Sequence, residues 1–243
     1  MPDDCANVIH QGTEVLRLHY APDNASLVLR LALEEAGLPY ETILVDRSVQ
    51  AQKSPEYLAL NPTGLIPTLI TPQGPLAETA ACLLWLCDTY PEANLGPLTG
   101  DSKRGMFLRW LFFLSNTVHA DLIRLFYPDR YVAEEIFEVH HATMADRLSV
   151  HFSILDAAVR AEPVLFAPSS ALAMYIGPVL RWSALYPKSG SRWLRLQDYP
   201  ALHDLIRSLE TRSSVLSAAA AEGLGNAPFS KPLLPIPPEG SAT

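Results

Sequence analysis

Two dipeptides set twelve residues apart, Ile66-Pro67 and Glu78-Thr79, carry the most specific chemistry in this 243-residue sequence. Pro67 opens a strand just after the turn Asn61-Pro62-Thr63-Gly64. If its bond is cis, Ile66 turns its N–H and C=O outward, where they can pair with an extended peptide as an added strand would. At Glu78-Thr79 a strand gives way to a helix, whose first N–H groups lack internal partners and attract a carboxylate. A ligand ending in a free amino-acid group could therefore meet Thr79 through its carboxylate and Glu78 through its ammonium. Singly, Thr79 is also an ordinary N-cap and Glu78 a surface acid favoured by the helix dipole. The spacing, with a hairpin between, favours the binding role.

The elements that would position these residues are legible around them. Residues 15–20 alternate as a strand, and Ala21-Pro22-Asp23-Asn24 turns the chain. Helical spacing runs from Ser26 to Gly37, which stops it. Residues 40–45 form a second strand, parallel to the first because of the long connection. A short helix over 54–60 with Pro55 in its first turn, a strand from Pro67, its hairpin partner at 75–78 and an apolar helix from Thr79 to Tyr90 follow. The order β-α-β-α-β-β-α is that of a thioredoxin-like domain. Residues 94–102 read as a linker. Beyond them only helices are expected, over about 103–126, 131–160, 170–186 and 200–221. The tail from 229 holds four prolines in fifteen residues and should lie extended over the surface or disordered. The expected units are 14–93, 103–228 and the tail 229–243.

Hydrophobic residues make up 49% and charged residues 18%, as in a packed globular protein, and the length suits two modest domains. A net charge of −8 gives no general attraction for nucleic acid or anionic membrane. The amino terminus lacks the apolar core of a secretory signal, and the apolar stretch 110–114 is far too short to span a bilayer. Cys5, Cys82 and Cys87 form no C-x-x-C and read as free buried thiols in a reducing, cytoplasmic setting. His140 and His141 are adjacent and face apart, so no metal is expected there.

The segments Leu18-His-Tyr-Ala-Pro22, Leu33-Glu-Glu-Ala-Gly-Leu-Pro-Tyr40, Asn61-Pro-Thr-Gly-Leu-Ile-Pro67 and Glu78-Thr79 together resemble the amino-terminal domain of bacterial glutathione transferases. Trp110 through His119, nine residues later, is similar to the beta-class pattern, and the resemblance extends over about 14–228. It implies a thioredoxin-like α/β domain followed by an all-α helical bundle, and a two-fold homodimer. It also implies glutathione as co-substrate, bound by Ile66, Pro67, Glu78, Thr79 and Lys53. Where beta-class enzymes carry a catalytic cysteine, this sequence has Ala25, so a mixed disulfide is not available there. Other classes hold the glutathione thiolate with a hydroxyl or an asparagine. Ser26, at the helix start, is the first choice here, Asn24 the second, and Tyr20 stands behind both. His119, on the long first helix of the second domain, could approach the sulfur or the substrate. Trp110, Phe113 and Asn116 share its helix, and the aromatic pair either lines an apolar co-substrate pocket or belongs to the core.

The energetics are adequate. A thiol of pKa ~8.5 is only a few per cent ionised at neutral pH. Lowering that by about two units needs roughly 2.7 kcal/mol. A helix N-terminus gives about 0.3–1 and a hydrogen bond to an anion about 1.5–3 kcal/mol. The expected activity is addition of the thiolate to, or displacement by it on, a small apolar electrophile. The alternatives are a non-catalytic binding protein for glutathione or an apolar ligand, and a glutathione-dependent disulfide or peroxide reductase. A final expectation concerns the buried helix near 170. Its start, Ser170-Ala-Leu-Ala173, lacks the acid of a capping box, so about 1 kcal/mol should be missing and Ala173→Asp should raise the melting temperature.

Overall fold

A computed structural model describes residues 15–187 and 193–242. Cys5, the start of the chain and Thr243 lie outside the described residues. Strand β1 (Leu16–Tyr20) buries Leu16, Leu18 and Tyr20 on one face, as its alternation dictates. Helix α1 (Ser26–Ala36) buries Leu27 to Leu33 and ends at Gly37, where φ of +63° lets the N–H groups of Gly37 and Leu38 reach back to Glu34 and Leu33. Strand β2 (Tyr40–Leu44) returns parallel to β1, with Leu16 opposite Tyr40. Helix α2 (Pro55–Leu60) is capped by Ser54, whose hydroxyl accepts from the Tyr57 N–H. Strands β3 (Thr68–Thr71) and β4 (Gly74–Ala77) form the hairpin, β3 running antiparallel to β1, and the sheet order is β2-β1-β3-β4. Helix α3 (Thr79–Thr89) follows.

The remainder is helical among the described residues. Helix α4 (Arg104–Phe113) passes through a π-helical segment, Leu114–His119, into α5 (Ala120–Phe126). Helix α6 (Phe137–Ala161) starts six residues later than its sequence pattern suggests, because 128–136 is taken up by two 3-10 turns. Helix α7 (Ala171–Leu185) is buried almost throughout and forms the centre of the helical half. Of these helices, none is long and apolar enough to cross a membrane.

Two of these expectations are corrected, for the last helices and for the start of α7, and one is made definite, for the tail. The single helix over 200–221 is two, α8 (Pro200–Leu209) and α9 (Ser213–Glu222), because Arg212 and Ser214 are drawn to the Glu35 carboxylate on α1. The tail lies extended over the surface, the first of the two expected alternatives, and is pinned there. Phe229 is buried, Glu210 accepts from the N–H groups of Phe229 and Ser230, and the Ile236 N–H bonds the Gly223 carbonyl at 2.9 Å. At the start of α7 the bond that the acid of a capping box would add is already made. Ser170 caps the Ala173 N–H, while its own N–H, the group an acid would have served, donates to the Ala167 carbonyl at 2.8 Å.

Candidate functional site

The loop from Asn61 to Thr68 is built to display Ile66. The Leu65 carbonyl accepts from the Asn61 side chain at 2.8 Å and from the Tyr57 hydroxyl at 2.7 Å, and Asn61 Oδ1 accepts from the Thr63 N–H and hydroxyl. With its neighbours so tied, the Ile66-Pro67 bond is cis. The N–H and C=O of Ile66 have no protein partner among the described residues. Lys53 folds towards the same loop: a Cβ added to Gly64 would lie 2.9 Å from its Nζ.

Glu78 precedes α3 with φ of +69° and ψ of 112°, a conformation that side-chain-bearing residues rarely hold and that clusters at functional sites. Its carbonyl accepts from the Cys82 N–H at 2.9 Å, but its side chain is exposed and makes no capping bond, so the carboxylate is not used by the helix. Thr79 is buried, and its hydroxyl has no partner among the described residues. An ammonium acceptor and a set of open helix N–H groups thus stand beside the strand edge at Ile66.

The β1–α1 loop departs most from expectation. Ser26 is fully buried, and its hydroxyl donates to the Ala21 carbonyl at 3.0 Å and accepts from the Ala21 N–H at 3.3 Å. It closes the loop on itself and neither caps α1 nor offers a free hydroxyl. Tyr20 is also buried, with the Arg30 guanidinium 4.7 Å over its ring and its hydroxyl on Glu239. Asn24 is only half-buried. Its Oδ1 accepts from the Ala25 N–H at 2.8 Å, and its NH2 is free of partners among the described residues.

A buried charged chain underlies that loop. The Asp23 carboxylate accepts from Arg181 twice, from Trp182 Nε1 at 2.9 Å and from the Tyr186 hydroxyl at 2.9 Å. The Asp23 N–H donates to Glu222, which also pairs with Arg30 at 2.7 Å. Burial pushes the Glu222 carboxyl up to about 7 against the pull of Arg30. Sequence reasoning missed this chain, reading Asp23 as a turn residue. The available signal was Arg181, an arginine in a run of apolar helix, which needs a carboxylate if buried.

His119 ends the π-helical segment, an irregularity frequent at functional sites. Its Nδ1 lies 2.9 Å from the Tyr175 hydroxyl and its ring 5.3 Å from that of Trp182. Burial lowers its pKa to about 4, so it is neutral at pH 7. Burial and, after it, the charge of Glu78 raise the pKa of Tyr175. Trp110 is core, packed on Phe113 and Phe166, and Asn116 is exposed.

Residues 25–89 match the family model described as glutathione S-transferase, N-terminal domain. A glutathione S-transferase of Xanthomonas campestris pv. campestris is 29% identical over 86% of this chain and its own whole length. A sphingomonad glutathione S-transferase complexed with glutathione superposes with a TM-score of 0.71 and 28% identity, over 86% of this chain and all of its own. A beta-class glutathione S-transferase of Sphingomonas chungbukensis gives 0.70 and 27%, over 85% and 98%.

Proposed function

Since the chain belongs to the glutathione S-transferase family, we propose that it binds glutathione along the edge at Ile66 and activates its thiol for attack on a small, apolar electrophile. The cysteinyl unit pairs with the N–H and C=O of Ile66. The γ-glutamyl carboxylate meets Thr79 and the open turn of α3, and its ammonium meets Glu78. Lys53 takes the glycyl carboxylate. The observation that carries this reading is the coincidence of an unpaired strand edge beside cis Pro67 with the exposed, strained Glu78 at a helix start.

Asn24 is the residue we assign to the sulfur, in place of Ser26. Its free NH2 stands at the amino end of α1, where the helix dipole also favours an anion. The thiol loses its proton to solvent; the thiolate forms a C–S bond to the electrophile, and in a displacement the leaving group departs with its electron pair. Neutral His119, its Nδ1 held by the buried Tyr175 hydroxyl, presents the rest of its ring to the co-substrate. Two such chains pair as a two-fold dimer.

The test is the absorbance of the bound glutathione thiolate against pH. The apparent thiol pKa should fall by about two units from its free value. Binding with an unshifted pKa would leave a binding protein and remove the enzyme; no binding would remove both.

A further inference from the structure

Glu222 is the last residue of α9 and is fully buried. The position is unfavourable twice over. An acid is disfavoured at a helix C-terminus, where the dipole is negative, and a buried carboxylate must be paired. The helix closes without it, the Gly223 N–H donating to the Ala219 carbonyl. Both Glu222 oxygens bond outside α9. Oε1 accepts from Arg30 Nε of α1 at 2.7 Å, and Oε2 accepts from the Asp23 N–H at 2.8 Å.

The second of these bonds reaches the cleft. Arg181, Trp182 and Tyr186 of α7 and its end fix the Asp23 carboxylate, but they leave the peptide before Asp23 free to turn about the N–Cα bond. Glu222 removes that rotation. The restraint is needed, because φ of +48° is held by a residue with a side chain only where its surroundings over-determine it. Asn24 comes next, and its carbonyl opens α1 by accepting from the Leu27 N–H at 2.8 Å. Relaxing Asp23 would swing the chain entering α1, and the Asn24 amide with it.

We propose that Glu222 is a positioning residue for the sulfur chemistry, holding Asn24 on the thiolate from the end of α9 through the Asp23 N–H. This rests on the assignment of Asn24 to the sulfur. The hydrogen bond is what acts, not the charge. A carboxylate beside a thiolate would oppose its formation, and here Arg30 balances it.

The test separates the bond from the charge. Arg30→Met with Glu222→Met removes the buried pair and leaves the Asp23 N–H without an acceptor. Arg30→Met with Glu222→Gln removes the same charges but keeps an acceptor. Replacing both members of a buried pair is tolerated where removing one is not. Arg30→Leu with Glu222→Leu repeats the first variant with different packing. The readout is the pKa of the bound glutathione thiol, from thiolate absorbance in the full-length protein. S-methylglutathione, which has no thiol to ionise, should bind all of them like the parent and so reports the fold.

The variants without an acceptor should raise the thiol pKa by about one unit, a tenfold loss of ionisation, and the glutamine should restore it. In an Asn24→Ala background the difference between them should vanish. The proposal falls if the methionine and glutamine variants share one pKa, or if their difference persists without Asn24. Asn24→Ala leaving the pKa unmoved would remove the assignment of Asn24 as well. An effect of Asn24 without one of Glu222 would remove this proposal alone.

Discussion

Arg181 on α7 and Asp23 in the β1–α1 loop form a fully buried, two-point ion pair across the two halves of the molecule, with Nε to Oδ1 at 2.8 Å and Nη2 to Oδ2 at 3.0 Å. The pair fixes a loop residue whose φ of +48° is unusual for any side chain but glycine's absence of one. It thereby sets the direction of the next residue, Asn24. Losing one partner strands the other in the interior. Arg181→Met should cost about 3–5 kcal/mol in urea unfolding. Asp23→Gly suits the backbone but strands the arginine, so it too should be costly. The double variant should lose clearly less than the sum of the singles. Additive losses would show that the two residues act separately.

Asn24 and Ser26 are separated by what each does when removed. Asn24→Ala should raise the pKa of bound glutathione by about 1–2 units, since a hydrogen bond to an anion contributes about 1.5–3 kcal/mol. Ser26→Ala should leave that pKa alone and destabilise the fold by about 1–3 kcal/mol, because the N–H and C=O of Ala21 lose their partner. If Ser26→Ala moves the thiol pKa and Asn24→Ala does not, our assignment is reversed.

The difference between these two residues also shows what was legible in the sequence. The thioredoxin-like half was readable because its signals are local: alternation in β1, Gly37 closing α1, Pro55 opening α2, a hairpin after Pro67. The set at Ile66 and Glu78 that we propose for glutathione was legible because its spacing follows from that local order. Ser26 looked available because a hydroxyl at a helix start usually caps it; that it bonds Ala21 five residues back is a property of the folded loop. Asp23, Glu222 and Arg30 meet through contacts between residues up to 199 apart, and no local pattern encodes them. The break between α8 and α9 has the same origin, a distant carboxylate on Glu35 overriding a continuous helical pattern.

The start of α7 yields a prediction opposite in sign to the one its sequence suggests. Ala173 is fully buried, and the Ser170 N–H already bonds Ala167. An aspartate at 173 would gain no donor and would place a carboxylate in the core. Ala173→Asp should therefore lower the melting temperature, by a loss of at least about 2 kcal/mol. A higher melting temperature would mean that the Ser170 N–H is open after all.

His119 gives the molecule an acid sensitivity whose sign can be worked out. Burial holds its pKa near 4 in the folded state, below the 6.5 of an unperturbed imidazole. Between those values the unfolded chain binds the proton and the folded one does not, so the stability contributed by neutral His119 is complete above about 6.5 and is lost as pH falls towards 4. Glu222, raised to about 7, titrates with the opposite sign and so cannot mimic this loss. His119→Gln keeps a hydrogen bond towards Tyr175 but cannot titrate. The drop in melting temperature between about pH 7 and pH 5 should be smaller in the variant than in the parent protein. An equal drop would mean that His119 takes up its proton as readily folded as unfolded, and is not enclosed by Tyr175 and Trp182 in solution.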